Sequence, residues 1–233
     1  MNKTKIAIIA GIIGLNLVVI LLFFLTPLFG SVFLNFVRLF ALLGLVAMFI
    51  SAVFTPFQKE LYQIFKKPFL KIHHSSTIVG LVLITAHPVM FAIETAVTYG
   101  FSPSESAAVF LPKFSSAYDF WSLAGRPAIY LIYIAFAAFF LRKVWKSGWR
   151  WLHGLNYVAL LFGVIHGIII GTDFYNFSFT PVNIPGLIMT ILFILMLCVT
   201  TFTFILKRKQ LTKRKKKKTE IKTEVSETEE LPQ

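Results

Sequence analysis

The sequence predicts an all-α membrane protein, a bundle of six transmembrane helices with both chain ends in the cytoplasm. Hydrophobic residues make up 57% of the 233-residue chain, and the mean hydropathy of +0.76 is far above that of a soluble domain. Six apolar stretches are each long enough to cross roughly 30 Å of hydrocarbon, which takes about 20 helical residues. These stretches lack the alternating pattern of a barrel strand, so helices are favoured in every span.

The spans lie in chain order near 6–29, 31–54, 70–97, 120–141, 150–171 and 183–206. The apolar run after Lys3 and Lys5 is longer than the core of a signal peptide, about 7–15 residues, so the first span is expected to be retained. We divide the chain into a first transmembrane helix (1–30), a helical membrane domain (31–206) and a basic, then acidic, cytoplasmic tail (207–233). Its composition predicts that the tail is disordered.

The basic residues set the orientation of the bundle. They cluster before span one, between spans two and three, between spans four and five, and after span six. The positive-inside rule places these four segments in the cytoplasm of a multi-pass cell-membrane protein. Attraction to membrane lipids with anionic headgroups then explains the net charge of +13. Nucleic-acid binding is not expected, because it would need a folded basic surface with aromatic residues among the charges.

All five histidines lie in the third and fifth spans, where His73 and His74 precede His87, and His153 precedes His166. The separations are 14 residues (13 from His74) and 13 residues, or about 20 Å along a helix axis. Both spans run outward from the cytoplasm, so the histidines match in depth as an inner and an outer set. Ionisable residues inside a membrane are costly and usually mark function.

Two opposed histidine pairs at two depths suit two stacked b-type hemes, because each iron takes two axial imidazoles. The chain has no CxxCH motif, so the hemes would be bound non-covalently. A 14-residue step keeps His73 and His87 within about 40° of one face, whereas 13 residues leave His153 and His166 about 140° apart on an ideal helix. Adjacent residues point about 100° apart, so one of His73 and His74 is the inner ligand, with His73 favoured. The alternative is that the histidines only bond helices together.

Two motifs carry a family resemblance. H-H-x12-H in span three and W-x-x-L-H-x-L-x-Y-x8-H in span five resemble the ferric reductase-like transmembrane domain of NADPH oxidases, ferric-chelate reductases and the heme subunit of bacterial methionine sulfoxide reductase systems. The second motif consists here of Trp149, Leu152, His153, Leu155, Tyr157 and His166. The resemblance covers roughly 31–206 and implies six helices and two b hemes. It implies that the inner heme is held by His73 and His153, and the outer heme by His87 and His166. Where many bacterial members have H-R-x-x-G, this chain has HHSSTIVG, so His74 stays an alternative to His73.

Two arginines are further candidates for cofactor binding. Arg38 lies in the outer half of span two, where an arginine costs roughly 2.5–3.5 kcal/mol on insertion scales. That span contains no Asp or Glu, so an outer heme propionate is expected as the counter-ion. Arg126, at the outer end of span four, is a second candidate for this role, or it extends its side chain to the interface.

The residues together predict a transmembrane electron conduit. It would take electrons from a separate flavin reductase or from quinol and deliver them to an extracytoplasmic acceptor, either iron or a protein. No GxGxxG follows a strand, so no flavin or NAD site is expected within the chain, which would act as an oxidoreductase component dependent on a partner. One alternative is a non-catalytic heme-bearing membrane anchor for a partner enzyme. Another is a histidine-based metal transporter, which the lack of central carboxylates in spans three and five disfavours.

Overall fold

The computed structural model describes residues 3–146, 148–174 and 183–229, which form helices joined by turns and loops, with no strand among them. The all-α prediction is therefore confirmed for the described part. The α-helices are α1 (Lys3–Leu25), α2 (Val32–Phe54), α3 (Gln58–Phe65), α4 (Phe69–Tyr99), α5 (Pro103–Ala107), α6 (Ala117–Ser122), α7 (Gly125–Leu141), α8 (Trp149–Ile170) and α9 (Ile184–Glu229). Short 3-10 turns follow α2 and α5, at Thr55–Phe57 and Ala108–Phe110.

Five helices are long and apolar enough to cross a membrane, which supports a membrane protein. They lie at Lys3–Leu25, Val32–Phe65, His73–Tyr99, Trp149–Ile170 and Ile184–Gln210. The predicted span 120–141 does not form one continuous helix, because the helix is interrupted between α6 and α7. At the break, the Arg126 amide bonds to the Leu123 carbonyl, three residues back, instead of continuing the four-residue series. The remaining helix α7 has 17 residues, about 25 Å of rise.

The end of α9 departs from the predicted disorder over 207–233. The helix continues through the basic segment and into the acidic one as far as Glu229. Lysine and glutamate are good helix formers and follow a helix that the membrane span has already nucleated, so the helix extends without a new nucleation cost. Residues 230–233 lie outside the described part of the chain.

Two antiparallel helix pairs form the body of the protein, α2 with α4 and α7 with α8. Small residues allow the close approach in the first pair: a Cβ on Gly44 would lie 2.6 Å from Ile84 Cγ1, and one on Gly80 would lie 3.2 Å from Ala47 Cβ. In the second pair, small and branched side chains form a buried cluster: Ala128, Ile132 and Ala159.

A larger core joins α1, α2, α8 and α9. Its most deeply buried large side chains include Phe23 and Val19 from α1, Val46 from α2, Leu160 from α8 and Phe193 from α9. Many apolar side chains on the opposite faces of these helices are exposed, which fits contact with lipid. Of the two helices that carry the histidines, α4 packs mainly against α2 and α8 mainly against α7.

Candidate cofactor site

The structure arranges the histidines of α4 and α8 as two pairs at two levels. The rings of His73 and His153 have centroids 6.0 Å apart and planes inclined by 72°. Further out along both helices, His87 lies close enough to His166 to interact with it electrostatically. The histidines of each expected set, inner and outer, therefore lie near each other, although α4 and α8 themselves make little direct contact.

Three of these histidines are held through Nδ1 by main-chain carbonyls of a neighbouring helix. A carbonyl oxygen only accepts hydrogen bonds, so in each case the ring proton resides on Nδ1 and the lone pair on Nε2. This tautomer is the one in which Nε2 can bind a metal while Nδ1–H orients the ring. The bonds join His87 to Val37 (2.9 Å), His153 to Ala135 (3.1 Å) and His166 to Ser122 (2.6 Å).

His73 has the same tautomer, which is set by the hydroxyl groups of Ser51 and Thr77. Thr77 donates its single hydroxyl proton to the His73 carbonyl, 2.8 Å away, so it accepts from Ser51 at 2.9 Å. The Ser51 proton is thereby used, and Ser51 Oγ accepts from His73 Nδ1 at 2.8 Å. His73 therefore also carries its proton on Nδ1 and its lone pair on Nε2.

The four anchors repeat the spacing of the histidines. Ser51 and Val37 are 14 residues apart on α2, matching His73 and His87 on α4. Ser122 and Ala135 are 13 residues apart, matching His153 and His166. Antiparallel neighbours advance at the same rise per residue, so equal steps keep each histidine level with its anchor.

The break between α6 and α7 supplies the anchor for His166. In a continuous helix the Ser122 carbonyl would accept from the Arg126 amide, but that amide bonds to Leu123 instead. The Ser122 carbonyl therefore accepts from His166 Nδ1. Both histidines of α8 thus bond to the α6–α7 segment, although a 13-residue step would separate them by about 140° on an ideal helix.

His74 has different surroundings from His73. Its ring lies 5.1 Å from the ring of Phe139 on α7 and perpendicular to it. The centroids of the two adjacent histidines are 6.0 Å apart. The ring contacts of His74 therefore run to α7, whereas His73 is hydrogen-bonded to α2 and lies beside His153.

Gly125, the first residue of α7, lies directly against the outer pair. A Cβ at this position would be 2.8 Å from His166 Cδ2 and 3.0 Å from His166 Nε2. Only glycine avoids a Cβ this close to the His166 ring. The histidine spacing gives no signal for Gly125 or for the anchors Ser51 and Ser122, because their role depends on contacts between helices.

Gly125→Ala is expected to displace the His166 ring and to lower the stability of the protein by about 1–3 kcal/mol, the usual cost of overpacking. Thermal unfolding in detergent measures the change. Gly154→Ala is the matched control, since a Cβ there meets nothing within 4 Å. It is expected to be neutral, or stabilising by up to about 1 kcal/mol through helix propensity. Equal unfolding temperatures for both variants would contradict the packing role of Gly125.

Arg38 has a counter-ion within the protein. Asp173, just beyond α8, lies 2.5 Å from Arg38 Nη2 through Oδ1 and 3.1 Å from Nε through Oδ2. The side chains are only 10% and 4% exposed, and the Thr26 hydroxyl donates to Asp173 Oδ1 at 3.0 Å. Phe23 and Phe29 present their rings to the guanidinium at 5.2 and 4.8 Å. Arg38 therefore does not depend on a heme propionate, the expected partner, to balance its charge.

This buried ion pair connects the two halves of the outer site. Arg38 follows Val37, whose carbonyl anchors His87, and Asp173 lies seven residues after His166. Phe174 packs beneath the same segment, where a Cβ on Gly167 would lie 2.9 Å from its ring. The segments that carry the outer histidine pair are therefore joined by a bidentate charge pair.

Arg126 bonds to the loop that precedes α6. Its Nη1 donates to the carbonyls of Ala108 and Leu111, at 3.1 and 2.9 Å, and Tyr130 donates to Phe110 at 3.0 Å. Arg126 also interacts electrostatically with His166. It thus holds the loop near the outer histidine pair.

Two carboxylates organise the loop from Gly100 to Ser122. Ser102 caps α5 in a capping box with Glu105, and its hydrogen bonds hold the pKa of Glu105 below its ordinary value. In the first turn of α6, the Ser115 hydroxyl donates to the Asp119 carboxylate, and the Ser116 hydroxyl accepts from the Asp119 main-chain amide at 3.0 Å. Both carboxylates lie in the first turn of their helix, where negative charge is favoured.

Among the described residues, no group of three or more His, Cys, Asp or Glu side chains lies close enough to hold a metal ion. The porphyrin of a heme supplies four nitrogen ligands to its iron, so the protein supplies only two side chains per iron.

Comparison with protein-family models, curated proteins and solved structures found no match to this chain.

Proposed function

We propose that this chain is a transmembrane electron-transfer protein that binds two b-type hemes non-covalently. The inner heme would be held by His73 and His153, and the outer heme by His87 and His166. One observation supports this most strongly: four intramembrane histidines form two neighbouring pairs, and the Nδ1 proton of each is engaged by a neighbouring helix. Histidines that ligate metals are oriented in this way, by a hydrogen bond from the second ring nitrogen.

The separation of the inner pair and the glycine beside the outer pair are compatible with heme binding. The centroids of His73 and His153 are 6.0 Å apart, close to the separation of about 6 Å that two imidazoles need on opposite sides of one iron at about 2 Å each. Gly125 leaves space next to His166 Nε2. When bound, each heme would supply a one-electron redox centre whose potential depends on axial ligation and burial. The protein would orient the ligands, exclude water and divide the membrane crossing into shorter electron steps.

The proposed topology has six spans across the cell membrane, with both ends of the chain on the cytoplasmic side. The stretch Ala117–Leu141 would complete the fourth crossing, since its 25 residues are interrupted only at Leu123 and Ala124. In that topology α4 and α8 both run outward. The inner pair then lies at the cytoplasmic side, among the basic loops, and the outer pair lies nearer the external face.

The proposed electron path runs from a cytoplasmic or membrane donor to an acceptor outside. The donor would be a separate flavin reductase or quinol, and the acceptor iron or a protein. This role, and membership of the ferric reductase-like transmembrane domain, is supported by the histidine motifs of spans three and five and by the pairing of those histidines.

A dithionite-reduced minus oxidised absorption spectrum of the purified chain tests the proposal. The expected result is the α-band of a bis-histidine b-type heme, with a heme content of two per chain. The chain would be expressed with added heme precursor, so that supply does not limit occupancy. A spectrum without heme bands under these conditions would reject the proposed function.

A further inference from the structure

The segment between α4 and the first turn of α6 exposes large apolar side chains. This connecting segment, residues 101–119, contains α5 and the 3-10 turn at Ala108–Phe110. Leu111 is 61% exposed and Phe114 is 73% exposed, and Phe101 and Tyr118 are exposed as well. Leaving several such side chains in water is unfavourable, so this surface is expected to meet an apolar partner.

The connecting segment lies beside the membrane helices and not beyond their ends. Its α5 helix and 3-10 turn pack against α4, and its main chain bonds to Arg126 and Tyr130 in the first two turns of α7. The start of α7 is level with the outer histidine pair. Exposed apolar side chains continue along α4 as far as Val97, about 15 Å past His87. Lipid that covers α4 therefore reaches the level of the connecting segment.

Three main-chain carbonyls of the segment accept hydrogen bonds from side chains of α7. Arg126 Nη1 donates to Ala108 at 3.1 Å and to Leu111 at 2.9 Å, and the Tyr130 hydroxyl donates to Phe110 at 3.0 Å. In lipid, irregular main chain is tolerated only where protein groups supply its hydrogen bonds, whereas in water the solvent can supply them. These carbonyls thus have the bonding that a position in lipid requires.

The charged residues of the segment limit how deeply it lies. Glu105 and Lys113 are exposed, and Lys113 pairs with Asp119 at 4.0 Å. The stem of a lysine can lie along apolar surface while its ammonium reaches water. Amphipathic segments at the membrane surface place their apolar side chains about 5–10 Å into the boundary between headgroups and acyl chains. The mixture of exposed apolar and charged side chains therefore fits this boundary.

We propose that the connecting segment binds the lipid surface, with Leu111 and Phe114 inserted among the acyl chains and Glu105, Lys113 and Asp119 at the headgroups. The partner is the phospholipid of the leaflet next to the outer histidine pair. This surface is continuous with the exposed apolar side chains of α4, which need lipid themselves. The inference goes beyond the proposed electron transfer and does not depend on heme binding.

Spin labels on single cysteines test the position of the segment. The full-length chain carrying Leu111→Cys or Phe114→Cys, each with Cys198→Ser, would be labelled and reconstituted in vesicles of phosphatidylcholine and phosphatidylglycerol. Electron paramagnetic resonance compares collisions of the label with oxygen, which concentrates among acyl chains, and with a water-soluble nickel chelate. Oxygen collisions are expected to exceed nickel collisions at both positions, as at the lipid-facing reference Val97→Cys. Ser104→Cys, at an exposed polar position of α5, is the matched control and should favour nickel.

Two other results would overturn the proposal. Nickel collisions that exceed oxygen collisions at Leu111→Cys and Phe114→Cys would show that the segment projects into water, where its apolar side chains are open to a soluble protein. Low collision rates with both reagents would indicate that a second copy of the chain covers these residues. Neither result bears on the heme content, so failure of this proposal is distinguishable from failure of the two-heme proposal.

Discussion

Replacing His166 by alanine is expected to remove the outer heme and leave the inner one, so that the heme content falls from two per chain to one. The variant loses one axial ligand of the outer iron. It also loses the bond from His166 Nδ1 to the Ser122 carbonyl, which contributes only about 1 kcal/mol. The inner pair, His73 and His153, keeps its own anchors on α2 and α7, so its binding should persist.

His153→Ala is the complementary variant and is expected to lose the inner heme selectively. Pyridine hemochrome analysis measures the heme content, and a redox titration shows which of two components remains. His74→Ala is the matched control, since it removes an intramembrane histidine whose ring faces Phe139. It should retain two hemes. The ligand assignment fails if His166→Ala and His153→Ala both keep the heme content of the parent.

Asp173→Ala is expected to lower the stability of the protein by about 3–5 kcal/mol. The substitution leaves the Arg38 guanidinium buried without its bidentate partner, and an uncompensated buried charge is far more costly than the loss of an exposed pair. Thr26 also loses Asp173 as an acceptor and keeps the Phe23 carbonyl, 2.7 Å away, as its remaining one. The double variant Arg38→Met with Asp173→Ala should recover much of the loss, because no charge is then left unpaired.

Thermal unfolding of the four proteins in detergent closes a double-mutant cycle for this pair. Lys113→Ala provides the comparison, since Lys113 pairs with Asp119 at 4.0 Å with its side chain 57% exposed. That variant should change stability by no more than about 0.5 kcal/mol. Additive effects of Arg38→Met and Asp173→Ala would contradict the coupling.

The same variants give a second readout if the outer heme is bound. A nearby cation favours the reduced iron and a nearby anion favours the oxidised iron, because reduction removes one positive charge. Arg38→Met should therefore lower the midpoint potential of the outer heme, and Asp173→Ala should raise it. Unchanged potentials in both variants would limit Arg38 and Asp173 to a packing role.

Local pattern accounts for most of the helices. An apolar stretch of about 20 residues predicts a transmembrane helix, because in lipid the main chain must form all its hydrogen bonds within itself. The five long apolar helices agree with this prediction. The two matching depths of the histidines also follow from their 14- and 13-residue separations and the rise of a helix alone. The break at Leu123 and Ala124 does not, because it depends on bonds such as that between the Arg126 amide and the Leu123 carbonyl, within an otherwise uniform apolar run. Composition alone likewise does not predict the helical course of 207–229, because it reflects the charge of this segment and not the helix that precedes it.

The sequence by itself therefore determined that this is a helical membrane protein with five histidines confined to two spans, since burial in lipid and helical periodicity are properties of short segments. Only the tertiary structure decided that His73, and not His74, bonds to Ser51, and that Asp173 partners Arg38 across 135 residues of chain. Those choices depend on which distant helices pack together. Contacts between distant segments follow from the shapes of whole helix faces and leave no periodic signal in the residues themselves.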